Sequence, residues 1–343
     1  MRKLLNTLYV TSPDRYLRLD GENVVVCEDQ EELARFPLHN LSGIVTFGYT
    51  GVSPALMGAC ASRSISLCFM TRNGRYLASV VGEMQGNVAL RKEQYRISDN
   101  LQRSALVARN MILGKLYNSK WVLERGTRDH PLQVDVEEIK KVSSRLDEGM
   151  KDLLACEDLE SIRGIEGNAA SQYFSVADQL ILQNKDKFFI RTRNRRPPLD
   201  RANAMLSFGY SLLASQCSSA LSSVGLDPYV GFLHRDRPGR ASLTLDLMEE
   251  LRAVMVDRLV FSLINKRMVT EKDFVIKEND AVVMTEEGRR RFLEAWQNKK
   301  TEIIKHPFLE EKVEWGMIPF TQSLLLARHI RGDIDEYPVF LWK

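Results

Sequence analysis

Up to about residue 84, apolar side chains come in short β-branched runs punctuated by turn residues: Asn23-Val24-Val25-Val26, Gly43-Ile44-Val45-Thr46-Phe47 and Ile65-Ser66-Leu67-Cys68-Phe69-Met70. Runs of this length and composition predict strands. The last continues through Arg72-Asn73-Gly74-Arg75 into Tyr76-Leu77-Ala78-Ser79-Val80-Val81. That arrangement predicts a hairpin, because Asn-Gly supplies the positive φ values of a type I′ turn. VSPALMGACA predicts a short helix, with Ser53 as its cap and Pro54 at its first position. From about Val88 the apolar period changes to three and four, as in NVALRKEQYRISDNLQRSALVARNMILGKLYNSKWVLER. Helix breaks are predicted near Gly126 to Pro131, Arg195 to Pro198, Gly225 to Pro228, Arg237 to Gly239 and His306-Pro307. Strands first and helices afterwards, without alternation, predict an α+β chain with a small β-rich N-terminal domain over 1–84 and a larger all-α domain over 85–343.

Composition supports this division. A chain of 343 residues with 44% hydrophobic content exceeds what a single core usually serves. Lys+Arg exceeds Asp+Glu by 48 − 45 = 3, so any nucleic-acid partner must be read from local clusters, not from the total charge. The five cysteines, Cys27, Cys60, Cys68, Cys156 and Cys217, form no CxxC pair, which fits buried thiols in a reducing compartment. The N-terminus meets charge and Pro13 before any leader-length apolar run, and no 18-residue apolar stretch follows. A soluble, cytoplasmic protein that does not enter a membrane is expected.

Some acidic residues break the helical pattern. A single helix is predicted from about Ser242 to Asn265, on which Asp246, Glu249, Ala253, Val256 and Val260 share one face. Two carboxylates therefore open a face that continues apolar, and buried carboxylates need a cation or a partner. Glu250 is offset and reads as solvated. In ESIRGIEGNAASQYFSVA, Glu166 lies on a face with Ala169-Ala170, Tyr173 and Ala177, and the small residues around it would admit another helix or a ligand backbone. Capping and ordinary ion pairing account for each acid taken alone. Together with His234, however, Glu166, Asp246 and Glu249 make an oxygen-rich set suited to Mg²⁺ or Mn²⁺.

Arg163, Arg237 and Arg252 each stand three positions from one of these residues, a spacing that would let guanidinium groups meet phosphates beside a metal. A denser basic tract, KDKFFIRTRNRRPPLDR from Lys185 to Arg201, includes Arg193, Arg195 and Arg196 with Phe188 and Phe189 interleaved. It reads either as a solvated face or as a track for a phosphate backbone.

The blocks LRLDGENVVV, IRGIEGNAASQYF, RRPPLDRANAMLSFGYSLL, DPYVGFLHRDRPGRASLTLDLMEELR and LLLARHIRGD resemble the CRISPR-associated integrase family, the metal-dependent DNA nucleases of spacer acquisition. The N-terminal wording is most similar to the subtype I-C branch. The resemblance implies a dimerising N-terminal domain, a helical catalytic domain, a homodimer, and a small ferredoxin-like partner with which double-stranded DNA is inserted into a CRISPR array. It implies Glu166, His234 and Glu249 as catalytic metal ligands, Asp246 as a possible additional ligand, and the arginines as DNA contacts. Asn203 would orient a ligand or the DNA backbone. The expected reaction is attack of a DNA 3′-hydroxyl on a repeat-boundary phosphodiester. A stand-alone or casposon-like nuclease and a non-catalytic DNA-binding scaffold stand as alternatives.

Overall fold

The computed structural model describes every residue except 1–5, 13, 73, 81 and 83–87. The chain divides into two compact units, Met1–Gln85 and Gly86–Lys343. The expected boundary at residue 84, Pro13 of the N-terminal reading and Asn73 of the predicted turn lie outside the described residues.

The first unit carries two four-stranded sheets. One orders β4(Glu31–Pro37), β3(Asn23–Glu28), β2(Tyr16–Asp20) and β6(Gly51–Val52) side by side; the other orders β1(Asn6–Val10), β5(Leu41–Phe47), β7(Ser66–Met70) and β8(Tyr76–Val80). The predicted hairpin is the antiparallel β7–β8 pair. Helix α1(Pro54–Ser62) begins as its sequence dictates: the Ser53 side chain accepts from the Leu56 N–H, and Pro54 occupies the first turn, where no N–H is needed. Leu17, Val24, Val26, Leu38, Ile44, Leu56, Cys60 and Leu67 close the core of this unit.

The second unit is mostly helical: α2(Val88–Asp99), α3(Leu101–Asp129), α4(Val136–Ala155), α5(Leu159–Ala177), α6(Arg201–Ser223), α7(Ser242–Glu249), α8(Arg258–Asn265), α9(Glu286–Thr301) and α10(Ile318–Ile330). Asn100, Asp135, Asp158 and Asp200 cap α3 to α6 by accepting from backbone N–H groups of the first turn. Two short antiparallel ribbons, β9(Phe274–Ile276) with β10(Val282–Met284) and β11(Ile303–Lys305) with β12(Lys312–Glu314), accompany the helices. Their three-residue strands are too short for alternation to reveal.

The single helix predicted over 242–265 is interrupted. After Glu249 the chain turns, and Arg252–Asp257 is wound as a π-helix before α8 resumes. Such insertions recur at functional sites. Here the wider winding separates the faces of α7 and α8, so Asp246 and Glu249 do not continue into Val256 and Val260 as one helical stripe.

All five cysteines are free, and among the described residues no helix is long and apolar enough to cross a membrane.

Candidate metal and nucleic-acid site

Three helices of the second unit bring the acidic candidates together. Glu166 projects from the middle of α5 and Glu249 from the end of α7, and Lys115 of α3 forms ion pairs with both; its Nζ lies 2.8 Å from Glu249 Oε2. Arg252 Nη1 holds the other oxygen, Glu249 Oε1, at 2.8 Å. Burial by itself would raise the Glu249 carboxyl, but Arg252 first, then Lys115 and His234, hold it below its ordinary range. Burial likewise works against the Arg252 charge, which Glu249, Tyr210 and Glu166 more than restore.

His234 is placed by a loop that the protein secures from several sides. Asp246 is buried; its Oδ2 accepts the N–H groups of Phe232 at 2.6 Å and Leu233 at 3.0 Å, and its Oδ1 accepts the His234 N–H at 3.1 Å and meets His234 Nδ1 at 2.5 Å. Asp246, expected as a possible additional metal ligand, thus bonds the loop with both of its oxygens. Its oxygens are taken up by the loop, and it fixes the imidazole so that Nε2 is the nitrogen left for a ligand. Gln94 Nε2 donates to the carbonyls of Asp227 and Val230 at 2.8 Å each, and Ser98 Oγ donates to the Gly231 carbonyl at 2.7 Å. Residue 231 must be glycine, because a Cβ there would sit 2.7 Å from Asp246 Oδ2 and 2.9 Å from Ser242 backbone.

The arginines divide into two groups. Arg163, expected on DNA, clamps the loop: its Nε donates to the Leu233 carbonyl at 2.9 Å while Nη1 meets Glu160 at 2.6 Å. Arg252 is occupied by Glu249. Arg193 is half-buried; it donates to Asn203 Oδ1 at 2.7 Å and stacks on Tyr210 with its guanidinium 5.2 Å from the ring centre, while Arg252 lies 5.4 Å from the same ring. Arg195, Arg196 and Arg237 are exposed.

Asn203 faces no open site. It is fully buried, donating to Asp200 and to the Thr192 carbonyl and accepting from Arg193, so it staples the basic loop to the start of α6. Phe188, expected among the basic side chains, is buried against Phe274. Gly164 and Gly167 face open space, so nothing among the described residues packs against α5 at those two positions.

Sequence reasoning missed two groups. Lys115 sits in NMILGKLYN, where a single lysine in an apolar, small-residue stretch was the available signal. Glu250, expected in solvent, is fully buried. Its carboxylate accepts from the Phe340 N–H at 2.6 Å and from Gln322 Nε2 at 3.2 Å, and Tyr337 also donates to it. Burial pushes this acid up to about 7 against those donors.

Among the described residues no three His, Cys, Asp or Glu donors stand in a metal-ligating group, and Lys115 pairs with both glutamates. The donor set nonetheless suits a hard divalent cation. Two carboxylates from separate helices meet at Lys115, the charge of His234 acts on Glu249, and the buried Glu249 Oε2 receives no well-aligned hydrogen bond despite its ion pair.

Comparison with known proteins identifies a family and a shared fold. The family profile described as "CRISPR associated protein Cas1" matches residues 8–298. A "CRISPR-associated endonuclease Cas1 1" of Chlorobaculum tepidum is 47% identical over 343 residues, covering all of both chains. Among solved structures, a casposase bound to integration product superposes with a TM-score of 0.85 at 23% identity, over 99% of this chain and 95% of that one. A Cas6-RT-Cas1–Cas2 complex gives 0.83 at 21% identity, over 100% of this chain and 36% of that one. At these identities the two structures establish a shared fold.

Proposed function

The chain belongs to the CRISPR-associated Cas1 family, and from that premise we infer that it is a metal-dependent DNA endonuclease and integrase that joins short DNA to a CRISPR array. The observation that carries the site assignment is the meeting of Glu166 and Glu249, from two helices, around one positive charge, with His234 oriented by Asp246 beside them.

Glu166, Glu249 and His234 Nε2 would hold Mg²⁺ or Mn²⁺. When bound, such an ion polarises phosphoryl oxygens and lowers the pKa of an attacking hydroxyl. Asp246 keeps the imidazole in the tautomer that leaves Nε2 without a proton. Arg252 secures Glu249 from behind, so the carboxylate keeps its charge in a buried position. Arg195, Arg196 and Arg237 meet phosphates; Arg163, Arg193 and Arg252 serve the scaffold. In the reaction one phosphodiester oxygen bond forms from a DNA 3′-hydroxyl as another breaks, the proton leaving the nucleophile and the displaced 3′-oxygen gaining one. No external energy source is needed.

The N-terminal unit is the dimerisation domain in this reading, supported by Tyr16, Leu33, Tyr49 and Tyr76 on its surface, with Tyr49 90% exposed. A small ferredoxin-like partner completes the assembly; the solved Cas1–Cas2 complex of the same fold supports it. LRLDGENVVV supports the subtype I-C branch.

The test is strand transfer of a short duplex with free 3′ ends into a supercoiled repeat plasmid, with the partner present. Glu166→Ala, His234→Ala and Glu249→Ala each abolish joined product while duplex binding in a gel shift persists. Normal joining by all three variants refutes the site.

A further inference from the structure

Lys115 occupies the place a metal ion would take between Glu166 and Glu249. Its side chain is 13% exposed, it springs from the centre of α3, and it pairs with carboxylates of α5 and α7 at once. The preceding residue fixes this position. Val339 and Glu250 press on α3 at Gly114, where a Cβ would lie 2.2 Å from Val339 Cγ2 and 3.0 Å from Glu250 Cβ. The helix therefore cannot move toward them, and the lysine's reach is set by its own flexible stem.

The formal charges favour an exchange of one cation for another. Glu166 and Glu249 contribute −2, Lys115 and Arg252 +2, and the four sum to zero. Adding a divalent cation to this set would leave +2 in a largely enclosed site, a costly excess at low dielectric. If the ammonium leaves as the ion enters, the remaining set is −2 + 1 + 2 = +1, which one phosphodiester neutralises. Arg252 is the worse candidate to leave: although its side chain is 22% exposed, it stacks on Tyr210 and is held by the other Glu249 oxygen. Lysine is suited to the exchange because its charge is compact and its chain flexible.

Resting on the metal site proposed above, we propose that Lys115 is a resident counter-ion that holds the two carboxylates together before metal binds and yields its place to the metal, its ammonium then meeting a DNA phosphate. Metal and DNA therefore strengthen each other's binding, since each draws Lys115 out of the carboxylate pair. That coupling is reciprocal.

Mn²⁺ binding followed by the electron paramagnetic resonance of the free aqua ion, with and without a short duplex, tests this. In the unaltered protein the duplex tightens Mn²⁺ binding. Lys115→Met, which keeps length but not charge, binds Mn²⁺ without DNA at least about tenfold more tightly, and the duplex adds little further. Its metal-free melting temperature falls and Mn²⁺ restores it. Lys115→Arg keeps the charge and the DNA-dependent tightening, and Lys115→Gln repeats the methionine result if that variant folds poorly. Equal Mn²⁺ affinity in Lys115→Met and the unaltered protein, or a duplex effect that survives loss of the charge, overturns the proposal. Failure of the unaltered protein to bind Mn²⁺, or unchanged binding by Glu166→Ala, overturns the metal site itself.

Discussion

Asp246 grips His234 twice, by the ring at Nδ1 and by the backbone N–H, and holds the two residues before it in the same grasp. A single carboxylate thus determines both where the loop runs and which imidazole nitrogen faces the site. Asp246→Asn places an NH₂ against backbone donors that need an acceptor. It is expected to weaken Mn²⁺ binding by about tenfold to a hundredfold and to lower the melting temperature, read by calorimetric titration and thermal unfolding. Unchanged metal affinity would show that the imidazole is oriented by other means.

The exposed and the half-buried arginines should separate in a salt titration of DNA binding. Arg195→Gln combined with Arg196→Gln removes two exposed charges that the proposed function assigns to phosphates, so affinity is expected to fall and the slope of log K against log salt to flatten, by roughly 0.9 for each phosphate no longer neutralised. Arg193→Gln instead breaks the seam with Asn203 and Tyr210. Its effect is expected in thermal stability, with little change in slope.

Asp257 gives a pH dependence of definite sign. It is buried, accepts from Tyr210 at 2.6 Å, and burial lifts its carboxyl to about 6 from 3.8 despite Tyr210, Tyr173 and the neighbouring arginines. The folded protein therefore keeps a proton that the unfolded chain has lost between those values. Stability contributed by the protonated group is full below 3.8 and declines as pH rises to 6, by up to roughly 3 kcal/mol. Asp257→Asn cannot ionise, and denaturant melts at about pH 4 and pH 7 should differ less than in the unaltered protein.

Asn118 ties the last residues of the fold to the helix that carries Lys115. Its Nδ2 donates to the carbonyls of Glu250 and Phe340, and its Oδ1 accepts the Trp342 N–H at 2.8 Å. Asn118→Ala leaves three buried backbone groups without that partner. A loss of roughly 3 kcal/mol in denaturant unfolding is expected, with strand transfer impaired because Glu250 adjoins Glu249.

Local chemistry made the first unit readable. The β-branched runs and the Ser53-Pro54 start of α1 specify their elements without help from distant residues, and the acidic anomalies at Glu166 and Glu249 were visible as polar positions on otherwise apolar faces. Contacts between segments far apart in sequence were not visible. Glu250 looks solvent-exposed on a helical wheel because its partners, Gln322, Tyr337 and Phe340, come from the end of the chain. Composition likewise does not reveal that Arg163 and Arg193, read as DNA contacts, also meet a carbonyl, an amide and a tyrosine ring. Lys115 escaped notice for the converse reason: its two carboxylates belong to helices remote from α3 in sequence.

The π-wound turn between α7 and α8 acts as a phase shift. Removing one residue from 252–257 would let the segment rewind as ordinary α-helix and rotate everything before it by about 100° relative to α8. Glu249 would then swing off Lys115, and Glu250 would leave the polar pocket formed by Gln322 and Tyr337. Along this stretch chain length is a stricter requirement than side-chain identity: a conservative substitution is absorbed locally, whereas a one-residue deletion takes apart the metal site and the anchorage of the C-terminal segment together.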